Sequence, residues 1–205
     1  MTVRYTYAAD RLPENKMRLY PTQVINVIGG PGTAKSLVAA MLVVQLNLRR
    51  KLVEHIPDYA KSLVWQKDYD ALRNQYHIAQ QQFKMLELLD GQVQYLVTEC
   101  SLPQLLYYNE HYADNICDVA KTRQQILAWY RQHNNLNLLI ERSDTRYVHS
   151  GRFQDEEQAR DIDRGLRALL GREHIQYTAI KPEADAVLGF VQTIDTAPAP
   201  RPTPP

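Results

Sequence analysis

The chain has 205 residues, and its 24 Lys and Arg against 23 Asp and Glu leave a formal charge of +1, so no global basic field marks a nucleic-acid binder and any polyanion contact has to be local. Two cysteines, Cys100 and Cys117, are too few for a disulfide scaffold and are not spaced as zinc ligands, and no apolar run is long enough to cross a bilayer. The polar start MTVRYTYAADR lacks the apolar core of a signal peptide, and these features together point to the cytoplasm.

Residues 1–21 read as an N-terminal extension and residues 22–195 as one α/β domain, a size that supports a full core. Val24–Ile28 is a β-branched run that suits a buried parallel strand, and KSLVAAMLVVQL from Lys35 is a strong helix former. Between them lies GGPGTAKS: Gly29, Gly30, Pro31, Gly32, Thr33, Ala34, Lys35 and Ser36. In a strand–loop–helix unit the backbone N–H groups and the positive helix end converge on one spot, which favours the phosphates of a nucleotide such as ATP. Lys35 then reaches the outer phosphates and the Ser36 hydroxyl ligates Mg²⁺. Ala34 replaces the glycine expected before the lysine; at a position where loop becomes helix a negative φ is expected, which alanine adopts. The plain alternative is a strand-to-helix turn with a surface lysine.

Further along, Leu52–His55 is a second strand, and the next segment, HIPDYAKSLVW, carries Asp58, Tyr59 and Trp65. Asp58 is a candidate base; alternatively it caps a helix beginning at Ala60. Tyr69–Asp90 reads as one long helix with Leu72, Tyr76, Ala79, Phe83 and Leu86 on its inner stripe. Gln75 and Gln80–Gln82 are either base contacts or a polar helix face. Tyr95–Thr98 is a third strand, followed by Glu99, where a parallel-sheet kinase places an acid for Mg²⁺. Cys100 reads as a small buried residue, with nothing in the sequence to supply a base beside it. Ala113–His133 is a helix and Asn137–Ile140 a fourth strand. Ser143–Phe153 is an Arg-containing loop flanked by Arg142 and carrying Arg146 and Arg152. A helix follows from Asp155 to near Gly171, then a strand at Tyr177–Ile180 and a helix from Pro182 to about Ile194. The βα alternation implies about five parallel strands with helices on both faces, a three-layer α/β/α arrangement. The proline-rich APAPRPTPP, residues 197–205, reads with residue 196 as a disordered tail.

Ligands bind outside the carboxyl ends of such strands. The phosphate loop, Asp58, Glu99, Arg142 and Arg152 all fall there, which supplies a base, a metal acid and positive charge for phosphoryl transfer.

GGPGTAKS, DYAKSLVW, LRNQYHIAQQQ, VTECSLPQLLYYN and NLNLLIERSDTRYVHSGRFQDEEQARDID resemble, in that order, the motifs of phage P-loop kinases related to nicotinamide riboside kinases and deoxynucleoside or thymidylate kinases. That group includes the 5-hydroxymethyluracil DNA kinases of bacteriophages. The resemblance covers about Val24 to Ile180. It implies ATP and Mg²⁺ as cofactors, Asp58 in substrate positioning or base catalysis, and Arg142 and Arg152 in a lid over ATP. It further implies phosphorylation of the hydroxymethyl group of 5-hydroxymethyluracil in DNA, a step toward thymidine hypermodification and evasion of host restriction. Ala34, and ECS where the family more often has DSP, depart from the pattern. A DNA substrate would need a local basic groove, for which Arg49-Arg50-Lys51 and the Arg142–Arg164 region are the candidates. A free nucleoside, nucleotide or nicotinamide riboside is the alternative acceptor. The GTAKS variant also resembles that of AAA+ motor ATPases, a reading disfavoured because no second helical domain follows the sheet, and a non-catalytic nucleotide sensor would bind ATP without transfer.

Overall fold

A computed structural model describes residues 17–143 and 155–194. Arg146, Arg152 and the tail lie outside the described residues, as does most of the N-terminal extension. The elements in chain order are β1 (Gln23–Ile28), α1 (Lys35–Leu48), β2 (Val53–Ile56), α2 (Tyr59–Gln66), α3 (Tyr69–Leu72), α4 (Gln75–Leu89) and β3 (Tyr95–Thr98). These are followed by α5 (Leu102–His111), α6 (Val119–Tyr130), β4 (Asn134–Ile140), α7 (Glu156–Arg172), β5 (Thr178–Ile180) and α8 (Ala184–Ile194). All strand pairs are parallel, in the order β2-β3-β1-β4-β5. The expected three-layer α/β/α fold is what the chain forms.

The central strand shows why. Alternate residues of a strand face opposite sides, and in β1 Val24 and Ile28 join the core under α4, α5, α6 and α7, whereas Ile25 and Val27 join the one under α1 and α8. Both faces being covered, β1 reads as a continuous apolar run. Asn26 interrupts it, buried, with its amide donating to Asn135 Oδ1 at 2.9 Å and Asn137 Oδ1 at 3.0 Å. This pairing satisfies polar groups that burial would otherwise penalise and joins β1 to β4.

Several expected boundaries move because side-chain caps intervene. The single helix expected over Tyr69–Asp90 is two: Asn74 accepts a hydrogen bond from His77 N–H and starts α4 afresh, while Asp68 caps α3. Its inner stripe holds at Leu72, Ala79 and Leu86, but Tyr76 is exposed. Gln75 and Gln82 are buried rather than on a solvated face, and Gln82 Nε2 donates to Thr98 Oγ1 at 3.0 Å. The helix expected from Ala113 begins at Val119, where Asp118 accepts from Lys121 N–H, and β4 starts three residues before the expected Asn137. Helix α5 has Ser101 as N-cap and Pro in its first turn. Arg49-Arg50-Lys51 follows the end of α1, whose 14 residues place it about 20 Å from the phosphate loop, so it cannot line a groove at that loop.

Candidate active site

The strand order decides what meets the loop. With β3 directly beside β1, the residue after β3 lies next to the start of α1, and the Ser36 hydroxyl donates to Glu99 in a short hydrogen bond. Glu99 is buried and also accepts from His55 Nε2 at 2.9 Å; Lys61 Nζ lies 3.2 Å from Ser36 Oγ. Burial pushes the Glu99 carboxyl up, but hydrogen bonds from His55 and Ser36, with the charges of His55 and Lys61, hold it below its ordinary value. It therefore stays an anion. A hydroxyl and a carboxylate side by side are hard oxygen ligands of the kind Mg²⁺ takes, so Ser36 and Glu99 fit the ion.

The loop itself is braced from within. Gly29 N–H donates to Gln104 Oε1 at 3.2 Å, and Gly30 N–H to Asp163 Oδ1 at 2.9 Å. A methyl group on Gly30 would lie 2.3 Å from that same carboxylate oxygen, so the close approach requires glycine. These two N–H groups are thus committed to the protein, and a phosphate is left to the later part of the loop and the first turn of α1. Helices α2 to α7 each have an Asp, Asn or Ser side chain as N-cap, but α1 has Ala34 and no side-chain cap. Its leading N–H groups are the orphan donors of an anion site.

Ala34 corrects the expectation of a negative φ. Its backbone is left-handed, φ 63° and ψ 31°, as is that of Gly32 at φ 84°. The chain turns from loop to helix through this residue, and a Cβ there crowds the following carbonyl. The usual glycine avoids that cost, and alanine bears it.

Lys35 is half-buried, with Nζ donating to Gly29 O at 2.7 Å and Gly30 O at 3.1 Å. Desolvation lowers its pKa, against the opposing pull of Asp58, Glu99, Cys100 and Asp163. Asp58 is the N-cap of α2, accepting from Lys61 N–H at 3.0 Å, so the capping alternative is correct as far as it goes. The same side chain also lines a cavity of about 470 Å³ that opens beside Lys35 and Ser36. Val64, Trp65, Leu72, Leu105 and Tyr108 supply apolar wall, and Trp65, 63% exposed, stands at its rim. Cys100 is the small buried residue expected, and burial together with the neighbouring Asp58 anion pushes its thiol pKa well up. Burial and the Asp58 charge likewise raise the Tyr108 phenol far above its usual value. Both groups remain protonated donors.

Arg142 follows β4 and reaches the phosphate loop. Its guanidinium is nearly enclosed, with Nε donating to Asp163 Oδ2 at 2.7 Å and Nη2 to Pro31 O at 2.9 Å. Asp163 thus receives Gly30 N–H on one oxygen and Arg142 on the other, fastening the loop to α7. Sequence reasoning missed His55, Lys61, Gln104 and Asp163 as site residues. Lys61 sits three positions after Asp58 and His55 at the end of a strand, both readable signals; Gln104 and Asp163 carry none, being ordinary helix residues until the fold brings them to the loop.

The family described as an AAA domain matches residues 24–185. No curated protein matches the chain. Among solved structures, an NadR protein in complex with NAD and AMP-PNP aligns with a TM-score of 0.62 at 11% identity, over 90% of this chain and 52% of its own. This chain thus spans about half the length of that protein. A YorR protein from Bacillus subtilis, in complex with phosphorylated GDP, aligns with a TM-score of 0.54 at 12% identity, over 83% of this chain and 94% of its own. At such identities the likeness concerns the fold.

Proposed function

The chain belongs to the AAA domain family, and from that premise we propose that it is an ATP- and Mg²⁺-dependent kinase that phosphorylates an alcohol. The observation that carries this reading is the cavity beside Lys35 and Ser36 with a carboxylate in its wall. Hydrolysis, as in a motor, needs room only for water, whereas this cavity has the volume and apolar lining of a small-molecule site. In the proposed reaction the acceptor hydroxyl gives its proton to Asp58 as its oxygen bonds to the γ-phosphorus, and the bond from that phosphorus to the bridging oxygen breaks to release ADP. Lys35 neutralises charge on the outer phosphates, and Ser36 and Glu99 would hold Mg²⁺, which would supply further positive charge there. Cys100 and Tyr108, kept protonated, can donate hydrogen bonds within the cavity.

For the acceptor we propose the hydroxymethyl group of 5-hydroxymethyluracil in DNA, the base being extruded to reach the cavity. The support for it is the succession of motifs described above. A free nucleoside, nucleotide or nicotinamide riboside is the second reading, favoured by one observation: the only cations among the described lining residues, Lys35 and Lys61, stand at the phosphate-loop end.

The test is transfer of γ-label from ATP to hydroxymethyluracil DNA, thymine DNA, free hydroxymethyldeoxyuridine, other nucleosides and nicotinamide riboside. Internal label in hydroxymethyluracil DNA alone is expected. Label on a free nucleoside but not on the polymer would select the second reading, and no label on any acceptor, with ATP consumed, would reject the kinase. Asp58→Asn adds a control, because Asn caps a helix as well as Asp. That variant should keep its stability and ATP affinity while turnover falls by about 10²–10⁴-fold.

A further inference from the structure

His133 ends the turn between α6 and β4, at the amino ends of the parallel strands, opposite the phosphate loop. Its side chain is 1% exposed, and neither ring nitrogen has a hydrogen-bond partner. Nε2 faces α4, 3.7 Å from Glu87 Oε1, and the buried Asp90 follows on the same segment. One ligand atom from each of Glu87, Asp90 and His133 lies within 4.8 Å of the other two. A buried polar group without a partner is costly, and an imidazole with two such nitrogens beside a pair of carboxylates is an arrangement a cation would relieve.

We propose that Glu87, Asp90 and His133 form a Zn²⁺ site that fastens the end of α4 to the α6–β4 turn. The donor set narrows the metal: imidazole with carboxylates suits zinc and its transition-metal neighbours, whereas Mg²⁺ and Ca²⁺ take oxygen ligands. Zinc bonds of about 2.1 Å place tetrahedral ligands about 3.4 Å apart, so the triad closes by at most about 1.4 Å on the ion. Burial holds the His133 pKa below its ordinary value, although Asp90 and Glu87 oppose it, which leaves the ring neutral with a lone pair to give. Arg18 donates to Asp90 Oδ2 at 2.5 Å and Oδ1 at 3.0 Å, and supplies the outer contact that orients a ligating carboxylate. Glu87, its side chain 29% exposed, gives the ion a path from solvent. Because the site is at the opposite ends of the strands from the phosphate loop, zinc acts there on stability and not on the transfer chemistry.

The full chain is titrated with Zn²⁺ in excess Mg²⁺, with Co²⁺ absorption as a spectroscopic probe of the same ligands. One zinc per chain is expected, with a rise in Tm and a visible Co²⁺ band. Glu87→Gln, at a half-exposed position that tolerates the change, should weaken zinc at least tenfold and remove both signals, and His133→Gln should do the same. If the histidine variant fails to fold, Glu87→Gln and Asp90→Asn decide. No uptake by the unaltered chain, or equal zinc affinity in Glu87→Gln, overturns the site.

Discussion

At the scale of the residue, Ala34 and Glu99 each hold a conformation or charge that the local sequence does not favour. A left-handed alanine costs about 1–2 kcal/mol, and glycine gives part of that back through its freer unfolded chain. Ala34→Gly is therefore expected to raise stability by about 0.5–1 kcal/mol, measured by urea denaturation, and not to be neutral as a helical φ would have implied. Glu99 has a folded pKa below the ordinary 4.5. A depressed carboxylate contributes stability above its unfolded pKa and loses it as pH falls through the folded value. The stability gap between the unaltered chain and Glu99→Gln should thus hold at neutral pH and close below about pH 4.5 as that carboxylate protonates, and urea midpoints across that range check it. A gap independent of pH would mean that the His55 and Ser36 contacts do not set the charge.

Helix α7 lies against α5 at Gly165, where a methyl group would stand 2.4 Å from Cε2 of Tyr107. Tyr107 is buried, stacked on His111 at 4.2 Å between centroids and set edge-on to Tyr108, so its ring has little room to yield. Glycine to alanine inside a helix ordinarily stabilises by about 1 kcal/mol. Here the sign reverses: Gly165→Ala is expected to destabilise by about 1–3 kcal/mol, read from thermal or urea unfolding. The same helix carries Asp163, so the variant should also weaken nucleotide binding by displacing the brace on Gly30. Local helix propensity decides neither effect; the neighbour does.

For the whole molecule, the parallel order β2-β3-β1-β4-β5 gathers the phosphate loop, Asp58, Glu99 and Arg142 at the carboxyl ends of the strands from segments more than a hundred residues apart. A nucleotide bound there reaches only the folded state. Mg²⁺ with a non-hydrolysable ATP analogue at about a hundred times its Kd should then add about 2.7 kcal/mol and raise Tm, and Lys35→Ala should abolish most of that rise while its own unliganded melt stays cooperative. An undiminished rise in Lys35→Ala would remove the phosphate loop from nucleotide binding. Much of this was open to reading along the chain. Strand type, the glycine loop, Lys35 with Ser36, and the acids after the strands follow from apolar periodicity and turn chemistry, which depend on neighbours within a few residues. The break at Asn74 was legible too, as an Asn directly before a helical run, but the continuous apolar stripe outweighed it. The left-handed backbone of Ala34, the turning of Arg142 into the loop, the Asp58–Cys100 contact and the pairing of Gln104 and Asp163 with Gly29 and Gly30 were not. Each depends on which atoms a distant segment presents, and a buried polar group takes whatever partner the packing brings, so only the assembled sheet and its two helical layers decided them.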